Sequence, residues 1–144
     1  MADEQSGGDE QSGGEVELVY LALEDVLGLY GLIIGATTAG AADQLRNRDG
    51  LESALARPAT YAHYEDADLT LQAAVLAHGI AEGQLFIDGN KRTALVAMLT
   101  FLEVNGFRVE ASDLELANWI LSFSAGATPQ DVAQLLRSAL LSAE

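Results

Sequence analysis

The chain has 144 residues, 49% of them apolar and 20% charged, which suits one compact domain with its own core and excludes both a disordered chain and a second catalytic domain. Cysteine is absent, so disulfide scaffolds, zinc ribbons and cysteine nucleophiles are excluded together. Acidic residues outnumber basic ones 22 to 7, a formal charge of −15 that disfavours a nucleic-acid partner and leaves the position of the single lysine, Lys91, to be explained.

Residues 3–8 read DEQSGG and residues 9–14 repeat it, with four acids, four glycines and no apolar side chain. The composition predicts a solvated, mobile tail over 1–15 and a single folded domain over 16–144. The start lacks a basic region followed by an apolar core, which predicts no signal peptide and a cytoplasmic protein. Acid-rich, lysine-poor composition would also suit a salt-rich cytoplasm. The uncharged run of 17 residues from Val26 to Ala42 holds Gly28, Gly31, Gly35 and Gly40, and reads as a core helix plus turn, with no membrane span.

Further elements follow in order. Glu24 to Ile34 carries apolar residues at spacings of three and four behind an acidic start. Asp49 and Glu52 resemble a capping box for a short helix that should stop before Pro58. Leu69 to Ile80 and Ala94 to Val104 are helical, the second apolar almost all round and expected at the buried centre. Asn105-Gly106 is a stop, Phe107 to Glu110 a short extended piece, and Ser112 with Glu115 a capping box for a helix through Trp119 and Phe123. Thr128-Pro129 opens a last helix with Leu135, Leu136, Ala139 and Leu140 as its apolar stripe, running close to Glu144. The sum is an all-α bundle with at most a very short extended segment.

Between the two central helices lies Gln84-Leu85-Phe86-Ile87-Asp88-Gly89-Asn90-Lys91-Arg92-Thr93-Ala94. Gly89 permits a tight turn or a close ligand, and Asn90, Lys91 and Arg92 open a helix whose unpaired N–H groups and positive dipole end point the same way. Two cations in a first turn oppose the dipole by about 0.3 kcal/mol or more each, which an anionic ligand such as a polyphosphate would reverse. Asp88 just before them could hold Mg²⁺, a hard ion that takes one or two carboxylates plus phosphate oxygens and water. The spacing is not that of a P-loop. An ordinary interhelical turn with solvated cations is the plainer alternative.

The segment resembles the motif of the Fic/Doc superfamily, His-x-Phe-x-Asp/Glu-Gly-Asn-x-Arg, and in particular its Doc (death-on-curing) toxin branch. Every position agrees except the first, where Gln84 stands for histidine. The likeness extends to Gly50–Pro58, His78-Gly79 and Phe101–Phe107, and covers about residues 18 to 140. The resemblance implies a helical fold whose motif loop binds a nucleoside triphosphate, ATP in the first instance. Asp88 would hold the metal, Asn90 and Arg92 would contact phosphates, and Phe86 would anchor the loop. Fic enzymes that transfer AMP usually have glycine where this chain has Lys91. Doc has lysine there, so the resemblance favours phosphorylation of a threonine of elongation factor Tu. It also implies an antitoxin partner.

The family histidine accepts the target hydroxyl's proton, and the Gln84 amide has no usable proton affinity. Losing such a base costs roughly 10²–10⁴-fold, or about 3–5 kcal/mol of barrier, while positioning and charge neutralisation by Asp88, Lys91 and Arg92 would remain. Two alternatives therefore stand beside the kinase: a non-catalytic module that binds nucleotide or antitoxin, and a Fic-type AMP transferase. Neither His63 nor His78 is taken as a substitute base, and His78, on the preceding helix, is read as a packed or capping residue.

Overall fold

A computed structural model describes residues 17–143, so the tail expected over 1–15 and the domain start at Val16 lie outside the described residues. Seven helices appear among them: α1 (Leu23–Ile34), α2 (Thr38–Asp43), α3 (Arg48–Glu65), α4 (Leu69–Glu82), α5 (Asn90–Val104), α6 (Asp113–Ser122) and α7 (Pro129–Ala139), with strands β1 (Phe107–Val109) and β2 (Leu140–Ser142). The architecture is the all-α one expected, with a two-stranded antiparallel ribbon at one edge pairing Phe107 with Ser142 and Val109 with Leu140.

The centre is α4, which packs against α3, α5 and α7. Nine of its 14 residues are buried, against six of 15 in α5, so the buried middle expected of α5 is shared with its neighbour. Four alanines of α4, Ala73, Ala74, Ala77 and Ala81, are nearly or fully buried, which lets the adjacent helices approach closely. Phe101, Met98 and Leu102 of α5 fill the space beside them.

Caps fix the starts of α6 and α7 as the sequence suggests, whereas the Asp49–Glu52 capping box expected for α3 is not formed: the helix opens at Arg48, capped by Asn47, whose side chain accepts from the Gly50 N–H at 2.9 Å. The Asp68 carboxylate accepts from the Leu71 N–H at 2.9 Å to open α4. Ser112 and Glu115 cap α6 reciprocally, and Thr128 and Asp131 do so for α7. Asn105 ends α5 by bonding both the N–H and the carbonyl of Val19, which ties the N-terminal segment down.

Four further expectations are corrected. The helix α3 does not stop before Pro58 but runs 18 residues through it to Glu65. An internal proline costs about 3 kcal/mol, yet Leu51, Ala54 and Pro58 are all buried at helical spacing, so burial of that stripe outweighs the lost hydrogen bond. The last helix ends at Ala139, because Leu140–Ser142 pairs with β1, an interaction remote in sequence. Within α7 the inward stripe is Val132, Ala133 and Leu136, while Leu135 is 42% exposed. The turn read after α1 also contains a further short helix, α2, capped by the Thr37 hydroxyl accepting from Gly40.

Candidate anion-binding site at the start of α5

The motif segment crosses from the end of α4 to the start of α5. Gly83 caps α4, and Gln84 follows with φ 53°, turning the chain out of the helix. That left-handed geometry at a helix end is usually given to glycine, and glutamine adopts it at a cost. Leu85 to Ile87 then pass beside the α2–α3 connection, with Phe86 in an isolated antiparallel bridge to Leu45. The Leu85 carbonyl accepts from the N–H groups of Arg46 (2.8 Å) and Asn47 (3.2 Å), and the Ile87 N–H donates to Gln44 (3.1 Å).

Below this bridge the loop is anchored in the core. The Phe86 ring is fully buried and stacks on Tyr30 of α1, with centroids 3.9 Å apart and planes at 12°. This is the inward anchoring expected of Phe86. The Tyr30 hydroxyl donates to the Asp88 carbonyl at 2.9 Å, so one buried tyrosine holds the loop at two points. Gly89 has φ 79°, a left-handed geometry that selects glycine, while a Cβ there would meet the Tyr30 ring only at ordinary contact distance, 3.4 Å.

The Asn90 side chain lies where phosphate contact was expected, but it is committed to the loop. Its Oδ1 accepts from the Phe86 N–H at 2.9 Å and its Nδ2 donates to the Phe86 carbonyl at 3.0 Å, satisfying both backbone groups of a buried residue. Towards a ligand, Asn90 has its backbone N–H to offer. The Thr93 N–H and hydroxyl both donate to the Gly89 carbonyl. The N–H groups of Asn90, Lys91 and Arg92 precede the first intrahelical bond of α5 and point out of its N-terminus.

A cavity of about 570 Å³ opens over this terminus, lined by Arg46, Ala81, Glu82, Gln84, Phe86, Ile87, Asp88, Gly89, Asn90, Lys91, Arg92 and Ser124. All seven motif residues singled out in the sequence border it. Three of the chain's seven basic side chains, Arg46, Lys91 and Arg92, converge there despite the net charge of −15. Lys91 Nζ is paired with Glu82 Oε2 at 3.2 Å, and the Ser124 hydroxyl donates to the same oxygen at 3.1 Å. Burial raises the Glu82 carboxyl, but the hydrogen bonds from Lys91 and Ser124 and the charges of Lys91 and His78 outweigh it and hold it below its ordinary value.

Arg46, Glu82, Ser124 and Tyr30 escaped the sequence analysis. The nearest signal was the position of Glu82 at the end of an apolar helix, two residues before the motif.

Among the described residues no three His, Cys, Asp or Glu side chains form a metal cluster. Asp88 is exposed at the cavity, and its Oδ1 accepts from the Gly89 N–H at 2.8 Å. A single carboxylate fits Mg²⁺ that completes its shell with phosphate oxygens and water, and does not fit an all-protein cage.

The two histidines lie elsewhere. His63 is exposed near the end of α3. His78 is half-buried, edge-on against Phe123 with centroids 5.0 Å apart, as the packed reading expects. Desolvation, aided by the Arg57 charge and opposed by Glu82, lowers its pKa, so its neutral form is favoured. It lines a second cavity of about 280 Å³ with Arg57 and Glu82, behind the first.

The family model described as "Fic/DOC family" matches residues 20–102. The protein named "Toxin Doc" of Mycolicibacterium smegmatis is 37% identical over 94 residues, spanning 64% of this chain and 68% of that protein. The match runs from the segment leading into α1, through the anchored loop, to the end of the α5 core, and on these grounds the chain belongs to the Fic/Doc family, on its Doc branch.

Proposed function

We propose that the chain is a Doc-type toxin of a toxin–antitoxin module, a phosphotransferase scaffold that binds a Mg²⁺–nucleoside triphosphate, ATP in the first instance. The acceptor would be a hydroxyl of a translation factor such as elongation factor Tu. One observation carries the reading: Arg46, Lys91 and Arg92 meet the outward N–H groups of α5 in one cavity beside Asp88. Backbone donors and guanidinium groups at a helix N-terminus suit phosphate oxygens.

Each residue has a part that its position supports. Arg92 and Arg46 would neutralise the triphosphate, and the N–H groups of 90–92 would orient it. Lys91 would leave Glu82 for a phosphate oxygen, exchanging one anion for another. Mg²⁺, if held by Asp88, would supply charge neutralisation across the phosphates. Asn90, Tyr30 and Phe86 keep the loop in the receiving geometry, a condition for electrostatic preorganisation. Lysine in place of glycine at Lys91 favours γ-phosphoryl over AMP transfer.

Gln84 supports a second reading, a nucleotide- or antitoxin-binding module without transfer. It is exposed at the cavity, and no histidine borders that cavity. An antitoxin would sit on the domain as a helical segment, and the charge of −15 suits one with basic residues. Among the described residues no helix is long and apolar enough to cross a membrane.

The test is phosphate transfer from γ-labelled ATP to purified elongation factor Tu with Mg²⁺, comparing the chain with Gln84→His. Labelling by the variant at least 10²-fold faster supports an intact scaffold short of its base. Labelling by both at equal rates means the amide is tolerated. Labelling by neither, with nucleotide still bound, selects the binding module; label from the α-phosphate instead would select AMP transfer.

A further inference from the structure

The Glu82 carboxylate is not needed to hold a nucleotide, and it opposes one by occupying Lys91. It is nonetheless held with care. Side chains from three elements meet at Glu82 Oε2: its own at the end of α4, Lys91 from the first turn of α5, and Ser124 from the 3₁₀ turn Phe123–Ala125 after α6. The buried Phe123, edge-on to His78, fixes that turn against α4, and Gly126 closes it with φ 102°. A hydroxyl donating to a carboxylate within hydrogen-bond reach, here 3.1 Å, is the contact of a nucleophile with its base. Here it borders the same cavity as Asp88 and Arg92.

We propose that Ser124 is a self-modification site, phosphorylated in cis from a nucleoside triphosphate bound at the start of α5, with Glu82 accepting the Ser124 proton. The inference rests on the proposed nucleotide site and goes beyond it, since it names an acceptor on the chain itself and a base outside the motif. In the transfer, Ser124 Oγ forms a bond to the γ-phosphorus with its own electron pair. The bond from that phosphorus to the β–γ bridging oxygen breaks, and the nucleoside diphosphate departs with that pair. The Ser124 proton moves to Glu82 and then to solvent.

Two physical points favour the arrangement. An ionised carboxylate can serve as acceptor for a hydroxyl proton in phosphoryl transfer. A phosphate that draws Lys91 away also removes the cation that weakens Glu82 as a base, so nucleotide binding and base strength rise together. The product would carry about −1.5 to −2 charges next to Glu82, which ends the Ser124–Glu82 hydrogen bond and makes the reaction self-limiting.

The experiment incubates the full chain with Mg²⁺ and γ-labelled ATP and maps the label by peptide mass analysis, with nucleotide binding followed by calorimetry. The expected result is one phosphoryl group on Ser124, formed at a rate constant independent of protein concentration. Ser124→Ala should abolish it and Glu82→Gln slow it by about 10²-fold or more. A readout independent of turnover is the Glu82 carboxyl titration by NMR, which should move upward in Ser124→Ala and in Lys91→Met.

Nucleotide bound with no label on Ser124 overturns this inference and leaves the proposed site standing. Failure to bind nucleotide removes both. Labelling of Ser124 at an unchanged rate in Glu82→Gln refutes the base, a rate constant proportional to protein concentration refutes transfer in cis, and an unmoved Glu82 titration refutes the contact on which both depend.

Discussion

Replacing Asn90 by alanine separates two roles that the sequence alone would merge. The side chain makes two hydrogen bonds, from the Phe86 N–H at 2.9 Å and to the Phe86 carbonyl at 3.0 Å, and Phe86 is 0% exposed. Alanine leaves both backbone groups without partners, at about 1–3 kcal/mol each, and relaxation or water entry from the open cavity side recovers part. A loss of about 2–4 kcal/mol follows, which for a domain of this size lowers Tm by about 8–16 °C, taking about 4 °C per kcal/mol. Thermal unfolding by circular dichroism reads it, with nucleotide affinity measured well below the transition. Asn90→Asp keeps an acceptor for the Phe86 N–H and loses the donor, so it should fall between the two. Affinity lost with Tm unchanged would refute the reasoning, because it would mean that the side chain serves the ligand and not the loop.

The other predictions rest on independent contacts. Tyr30→Phe keeps the stack on Phe86 and loses only the bond to the Asp88 carbonyl, so stability should drop by about 1 kcal/mol; a drop above about 3 kcal/mol in urea unfolding would show that the ring itself had moved. Gln84→Gly removes the strain of φ 53° but adds chain entropy to the unfolded state, for a net gain of about 0.5 kcal/mol, and destabilisation on the same assay would contradict it. The hydrogen bond from Arg137, with those from Leu71 and Thr70, outweighs burial and lowers Asp68 from 3.8 to about 2. A depressed folded-state pKa means that this stability is complete above about pH 4 and drains as the pH falls towards 2. With the two side chains 48% and 52% exposed, the pair is worth under about 1 kcal/mol, so Arg137→Gln should cost that much at pH 7 and little near pH 2; an equal loss at both would refute the assignment.

What could be read from the chain followed how local the cause was. Caps act within three residues, and so Ser112 and Thr128 announce α6 and α7 from sequence alone, while Asp68 caps α4 in the same local way and went unread. Pro58 gives a local signal to stop, and burial of Leu51, Ala54 and Pro58 overrides it, which no window around the proline contains. The end of α7 is set by β1, some thirty residues earlier, so its helical pattern simply continues past the true boundary. The motif residues were legible because they are contiguous. Their supports were not: Tyr30, Arg46, Glu82 and Ser124 come from α1, the α2–α3 connection, α4 and the 3₁₀ turn, and only packing brings them to the loop. Asn90 shows the limit within the motif itself, since a polar residue at a helix start looks the same whether it faces a ligand or the backbone behind it.

The acidic composition and the anion site are consistent once distance is considered. At physiological ionic strength charges are screened over about 8 Å, so a ligand inside the cavity feels Arg46, Arg92, Lys91 and the α5 N-terminus far more than the carboxylates spread over the rest of the surface. A long polyanion could not confine itself to that volume and would have to lie across the acidic surface, so the proposed triphosphate site and the expected rejection of nucleic acid are compatible. Glu82 sharpens the choice. It pairs with Lys91 at 3.2 Å, so on the proposed reading a ligand would have to engage the N–H groups of α5 and both arginines together to displace it. On the proposed reading the cavity would therefore select a compact, multiply charged anion, because Lys91 is already paired with Glu82.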